Sequence, residues 1–276
     1  MSYVSGGTFF VADHISGGAP PGSYNGSRFL TTIVENGGEI YNNSSQSIQS
    51  GGLIIVSSGG DIENNYIIDN GGSIEFKSGS KIGYSSGAIV TVNSGGNLTI
   101  DNGAQQYEGT EYTLSGGTIV AYKELANLLT VWNSAGGTLI LSSGGTYDPD
   151  SVASVVKNNK IIVKNNATVS NVSLQSGSIL VVETGGSASG ATVNTGATAT
   201  FSSGAVEDYV TLNGGTIDAY NSPPLFSWTS SGGSLILESG VVDTSEKPPA
   251  GTAIIDVRSG ATLVSATLLS ENALGI

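Results

Sequence analysis

The chain has no cysteine, one histidine and one methionine among 276 residues. Without cysteine there is no disulfide, no thiolate metal site and no cysteine nucleophile. The lone His14, beside Asp13 and far from any serine or cysteine elbow, reads as structural rather than catalytic. Charge is scarce as well: charged residues make up 11%, only nine are Lys or Arg, and the formal net charge is −13. The nine are scattered, with Lys157, Lys160 and Lys164 the only local group. Nucleic-acid binding rests on neutralising phosphates, so this chain is a poor candidate for it. Proline is rare, at seven residues, and glycine does not fall at every third position, which excludes a collagen-like chain. No run approaches the roughly 18 apolar residues of a membrane helix. Met1 to Val11 lacks the basic and apolar regions of a signal peptide, so an exported protein would carry its signal and anchor outside these residues. No cofactor motif is present: the glycines are not arranged as a phosphate loop.

What the chain does have is glycine, 41 residues of it, with Ser, Thr and Asn and short β-branched runs. The stretch Gly136-Gly137-Thr138-Leu139-Ile140-Leu141-Ser142-Ser143-Gly144-Gly145 recurs as Gly51 to Gly60 and again as Gly232 to Gly240. Each is a short apolar strand between glycine corners, and Gly52, Gly60, Gly137, Gly145, Gly233 and Gly240 mark those corners. Corners two apart lie about twenty residues from one another (Gly38 to Gly60, Gly52 to Gly72), a fixed period that signals stacked coils. Strand alternation turns one face inward, glycine supplies corner conformations closed to β-branched residues, and stacking places like residues above one another. The expected fold is an all-β, right-handed parallel β-helix of about twenty residues per coil, with two or three short strands in each.

A longer repeat overlies the short one. Thr113-Leu114-Ser115-Gly116-Gly117-Thr118-Ile119-Val120-Ala121-Tyr122 matches Thr211-Leu212-Asn213-Gly214-Gly215-Thr216-Ile217-Asp218-Ala219-Tyr220. Trp132 and Trp228 follow the two tyrosines, and each precedes a copy of the repeated strand. Between Tyr122 and Trp132 lies Lys123 to Leu129, and between Tyr220 and Trp228 lies Pro223-Pro224; both read as side loops. The organisation expected is an N-terminal coil with an irregular loop or cap over 1–29, then a β-helix over 30–276. That β-helix would be built from tandem modules of about a hundred residues, the last one truncated.

Few residues are arranged for chemistry. Glu207-Asp208 is a poor acid/base pair, because successive strand residues point to opposite faces. Asp148-Pro149-Asp150 reads as a turn, and no calcium-binding nonapeptide follows the double glycines. The chain is therefore read as a non-enzyme. Trp132, Trp228, Tyr122 and Tyr220 are the candidate ligand-binding residues. They recur in equivalent places, where an exposed aromatic would stack on a sugar; equally, each tryptophan would cap the apolar end of its coil beneath the inserted loop.

Val182-Glu183-Thr184-Gly185-Gly186-Ser187-Ala188-Ser189-Gly190-Ala191-Thr192-Val193-Asn194-Thr195-Gly196-Ala197 resembles the passenger repeats of AIDA-like autotransporter adhesins, and Asn36-Gly37-Gly38, Ser94-Gly95-Gly96 and Asn213-Gly214-Gly215 look like the same corners. The resemblance covers most of the chain from Leu30. It implies a β-helix secreted or displayed on a Gram-negative surface, acting in host-cell attachment, autoaggregation or biofilm formation. The partners it implies are surface glycans or proteins, further copies of the chain, and a glycosyltransferase acting on serines. A carbohydrate-active β-helix enzyme and a passive stalk or fibre are the alternative readings.

Overall fold

The structure is a computed structural model that describes residues 8–11, 14–16, 30–41, 45–63, 65–83, 87–107, 109–125, 136–148, 155–220, 226–228, 232–243, 253–263 and 273–275. Among the described residues the named strands pair in parallel, two isolated bridges (Asn93 with Gly116, Asn194 with Gly214) are antiparallel, and there is no helix. Two compact units divide the chain, 1–139 and 140–276, the division falling inside the strand Gly137–Leu141.

The first unit coils through three faces. Its first face stacks Thr8–Val11, Leu30–Val34, Gly52–Val56, Ser73–Phe76, Asn97–Ile100 and Thr118–Ala121 in that order. The second stacks His14–Ser16, Glu39–Tyr41, Asp61–Glu63, Lys81–Ile82 and Gln105–Gln106. The third stacks Gln46–Ile48, Tyr66–Ile68, Ile89–Asn93 and Glu111–Ser115. Along the first face Thr31 pairs with Leu53, Leu53 with Ser73, Ser73 with Asn97 and Asn97 with Thr118, steps of 22, 20, 24 and 21 residues. The parallel β-solenoid implied by the sequence repeat is the fold observed, with three strands to a full coil.

The second unit repeats the plan more regularly. On its first face Lys160 pairs with Ile179, Ile179 with Thr198, Thr198 with Thr216, Thr216 with Ser234 and Ser234 with Ile254, steps of 19, 19, 18, 18 and 20 residues. The second face runs Thr146–Tyr147, Thr168–Ser170, Ser187–Ser189, Val206–Asp208, and the third Val155–Val156, Ser173–Leu174, Thr192–Asn194, Val210–Asn213, Phe226–Trp228. The coil that starts at Thr216–Ala219 returns on the third face at Phe226–Trp228, with residues 221–225 outside the described residues.

Each unit buries columns of stacked apolar residues. In the first, Ile40, Ile62 and Ile82 form one column and Val34, Val56, Phe76, Ile100 and Ala121 another, all 0% exposed. In the second, Val163, Val182, Phe201 and Ala219 stack in register, so the largest side chain of that column is followed by the smallest. Burial of this kind contributes about 1.5–3 kcal/mol for each large aliphatic or aromatic side chain.

The paired glycines do two different jobs. Gly71 has φ +77°, a left-handed conformation that costs other residues about 1–2 kcal/mol. Gly72 has no such φ, but a Cβ on it would sit 2.2 Å from the Ile48 carbonyl oxygen of the preceding coil. The first glycine thus turns the chain, and the second lets neighbouring coils close. The corner amides also ladder between coils: Gly51 N–H donates to the Gly71 carbonyl at 2.9 Å and Gly71 N–H to the Gly95 carbonyl at 3.0 Å. Of the six corner glycines read from sequence, Gly60 has the role of Gly72, Gly145 follows Gly144 in the same kind of pair, Gly240 turns the chain at φ +87°, and Gly52, Gly137 and Gly233 begin first-face strands.

Candidate binding surface

Immediately after each first-face strand, one residue per coil stacks on its equivalent in the coil before. In the second unit this column runs Lys164, Glu183, Ser202, Tyr220, Glu238 and Arg258. The Ser202 N–H donates to the Val182 carbonyl (2.9 Å), Tyr220 N–H to Phe201 (2.8 Å), Glu238 N–H to Ala219 (2.9 Å) and Arg258 N–H to Leu237 (3.0 Å). Tyr220 is 45% exposed in the middle of it. Ser202 and Ser203 from the preceding coil and Ser239 and Gly240 from the following one join Tyr220 in lining an open depression of about 320 Å³.

Charge around this depression is predominantly negative. Asp218 lies on the same strand as Ala219, two residues before Tyr220, and Glu238 on the next coil. Burial, then the neighbouring Glu238 carboxylate, pushes the Asp218 carboxyl up from its ordinary range. Asp218, then Glu238, pushes the Tyr220 phenol up. Arg258 bonds Glu238 through Nη1 and approaches Asp256 at 3.7 Å, so one guanidinium faces three carboxylates.

The first unit has the same column with different chemistry. Lys77, Asp101 and Tyr122 stack there, the Tyr122 N–H donating to the Ile100 carbonyl at 2.9 Å, and Tyr122 is 37% exposed. Lys77 pairs with Glu75 at 2.8 Å and lies 3.8 Å from Asp101. Lys123, next to the tyrosine, folds back so that Nζ donates to the Ala104 carbonyl at 2.6 Å, and burial lowers its affinity for the proton. The two tyrosines thus occupy equivalent positions, one among serines and carboxylates, the other beside a lysine ion pair.

Trp132 lies outside the described residues; Trp228 ends the strand Phe226–Trp228, where its backbone pairs with Leu212. His14 starts a second-face strand paired with Glu39. Asp148 is exposed and accepts from Asn171 Nδ2 at 3.1 Å, while Asp150 lies outside the described residues. Among the described residues, no group of three or more His, Cys, Asp or Glu is placed to hold a metal ion, and no helix is long and apolar enough to cross a membrane.

Three features escaped the sequence pattern. Glu207 is 2% exposed and, with neither carboxylate oxygen hydrogen-bonded, its pKa rises to about 7 through burial. Asp61 in the first unit is 7% exposed, and burial followed by the nearby Glu63 raises it to about 6. Tyr209 is 67% exposed yet takes φ +51°, at a corner where the equivalent residues one and two coils earlier are Gly190 and Asn171. Polar ladders on the third face were implied by stacking and are present: Asn213 Nδ2 donates to Asn194 Oδ1 at 2.6 Å, and Asn194 Nδ2 to Ser173 Oγ at 3.0 Å and to the Leu174 carbonyl at 2.9 Å.

The chain is similar in structure to a fragment of TibA, residues 55–350, hyperglycosylated in a reaction catalysed by TibC. The TM-score is 0.44 with 23% sequence identity, over 98% of this chain and 88% of that one. No protein-family model matches the chain. No curated protein matches it either.

Proposed function

We propose that this chain is a passenger segment of a bacterial surface or secreted adhesin, acting in host-cell attachment, autoaggregation or biofilm formation by physical contact alone. The observation that carries the reading is the outward chemistry of the coils. In the second unit, outward positions stack Thr168 on Ser187, Ser170 on Ser189, and Thr198 on Thr216 on Ser234, short hydroxyls in parallel register. Such an array offers many weak, evenly spaced hydrogen bonds, and their sum grows with the number of coils engaged. The AIDA-like corner motifs support the same reading. Exposed corner serines such as Ser58, Ser78, Ser176 and Ser203 are open to a modifying glycosyltransferase. The tandem modules of about a hundred residues are part of the proposal, with Tyr122 and Tyr220 as their equivalent marks.

The test is a bead assay. Beads coated with the chain are scored for clumping with one another and for attachment to epithelial cells. Clumping or attachment above that of albumin-coated beads is the expected result. Beads that do neither would reduce the segment to a passive stalk and refute the adhesive reading.

A further inference from the structure

We propose that the depression around Tyr220 is a subsite for a neutral pyranose, with Tyr220 as its stacking platform. The inference rests on the adhesive reading and names the ligand class that one place on the surface would take.

Three observations converge. An aromatic ring stands 45% exposed in a column whose other members in this unit are Lys, Glu, Ser and Arg. A ring face is electron-rich, and the C–H face of a pyranose lies favourably against it. Ser202, Ser203 and Ser239 border the depression from the two neighbouring coils. Each hydroxyl both donates and accepts, which matches sugar hydroxyls that do the same. The volume, about 320 Å³, falls at the small end of the range for binding pockets, enough for one ring rather than a folded peptide.

Charge decides the class. Asp218, Glu238 and Asp256 outnumber Arg258, and Arg258 is already engaged by Glu238. A uronic or sialic acid would meet three carboxylates that share one already engaged guanidinium, so anionic sugars are disfavoured. A quaternary ammonium ligand would welcome the carboxylates but wants an aromatic cage, and a single tyrosine does not make one. A neutral sugar needs neither. In the coil before the equivalent Tyr122, Asp101, 3.8 Å from Lys77, and Asn102 stand where Tyr220 has Ser202 and Ser203, so the subsite is assigned to the second unit.

The experiment titrates the full chain with methyl β-glucoside, methyl β-galactoside, methyl α-mannoside, glucuronate and choline, read by saturation-transfer NMR and calorimetry. At least one neutral glycoside is expected to bind in the millimolar range, with glucuronate and choline silent. Tyr220→Ala should weaken binding about tenfold or more, Tyr220→Phe should keep it within about twofold, and Tyr122→Ala should leave it unchanged. The double variant Asp218→Asn/Glu238→Gln should admit glucuronate. Unchanged thermal melting confirms that the exposed Tyr220 variants fold. Silence of all three glycosides, binding of choline or glucuronate to the unaltered chain, or indifference to Tyr220→Ala would each overturn the subsite. Those results leave the bead assay untouched: clumping beads with silent glycosides sink the subsite alone, whereas inert beads sink the adhesive reading itself.

Discussion

Glu207→Gln should make the protein more stable at neutral pH and remove part of its pH dependence. The carboxyl is 2% exposed, neither oxygen has a hydrogen-bond partner, and on its face it stacks in register beyond Ala188 and Val169, which offer neither charge nor polar side chain. Its pKa in the folded chain is about 7, against 4.5 for the ordinary group. Between those values the folded state holds a proton that the unfolded chain has released. Stability therefore falls as pH rises, the opposite of a salt-bridged carboxylate. Below about pH 4.5 both states are protonated and the effect vanishes; above about pH 7 both are ionised and the penalty is complete. At 1.36 kcal/mol per pKa unit, the penalty is about 3 kcal/mol, large beside a typical domain stability of about 5–15 kcal/mol.

The assay is urea unfolding of the parent and Glu207→Gln chains at half-unit steps from pH 4.5 to 8, following tyrosine fluorescence and circular dichroism. The amide keeps shape and polarity but cannot ionise. The difference between the two curves should be small at the acid end and grow toward neutrality by about 3 kcal/mol. The titration of Asp61, raised to about 6 in the first unit, is common to both chains and cancels in the difference. Parallel curves would show that Glu207 is not a buried neutral acid, and the reasoning from its unpartnered oxygens would fail.

Two further pairs of substitutions address the corners. Gly72→Ala puts a Cβ 2.2 Å from the Ile48 carbonyl oxygen and should cost about 3 kcal/mol, while Gly37→Ala, at φ +81° with nothing within 4 Å, should cost only the conformational 1–2 kcal/mol or about that; equal losses in urea unfolding would refute the division of labour between paired glycines. Tyr209→Gly relieves an exposed side chain from φ +51° and should raise stability by about 1 kcal/mol, whereas Tyr209→Val should lower it; a destabilising glycine would mean that the ring makes contacts which outweigh the strain.

Much of the fold was legible because glycine pairs punctuate it. Ser57-Ser58-Gly59-Gly60 announces a turn, and the apolar alternation of Leu53 to Val56 announces a face; both are found where the repeat puts them. The inward residue, however, is set by the corner and not by hydrophobicity. Val206-Glu207-Asp208, taken by alternation alone, would turn the valine inward. Ala205, directly after the Gly204 turn, takes the inward place at 3% exposed, so Val206 faces out at 55% and Glu207 is carried inside. A one-residue phase set by a turn flips every side chain that follows it. The same mechanism hid the serines around Tyr220: Ser202, Ser203 and Ser239 are unremarkable in a chain rich in serine. They become neighbours of the tyrosine only once steps of 18 residues stack Thr198 on Thr216 on Ser234. Left-handed Asn158, Asn166 and Asn171 replace glycine at corners, which explains why coils there lack the expected double glycine.

The departures from local consistency are not spread evenly. In the second unit the buried unpartnered acid Glu207, the left-handed Tyr209, the raised Asp218 and the exposed Tyr220 all fall between Val206 and Tyr220, within a run of fifteen residues. The coils before it, from Thr168 to Phe201, keep glycine or asparagine at left-handed corners and, Ser178 apart, apolar residues inside, with Ile179 the one large apolar side chain exposed. Stability alone would repeat that pattern indefinitely, since Ala188 and Gly190 show that a coil of this length accommodates a small apolar core residue and an unstrained corner at the same register. Rules broken together, where neighbouring coils keep them, are what a site retained for contact rather than for folding leaves in a repeat. The run spans the end of one coil, Val206–Asp208, and the start of the next, Thr216–Ala219. It coincides with the depression at Tyr220, so the proposed subsite lies where the solenoid departs from its own rule.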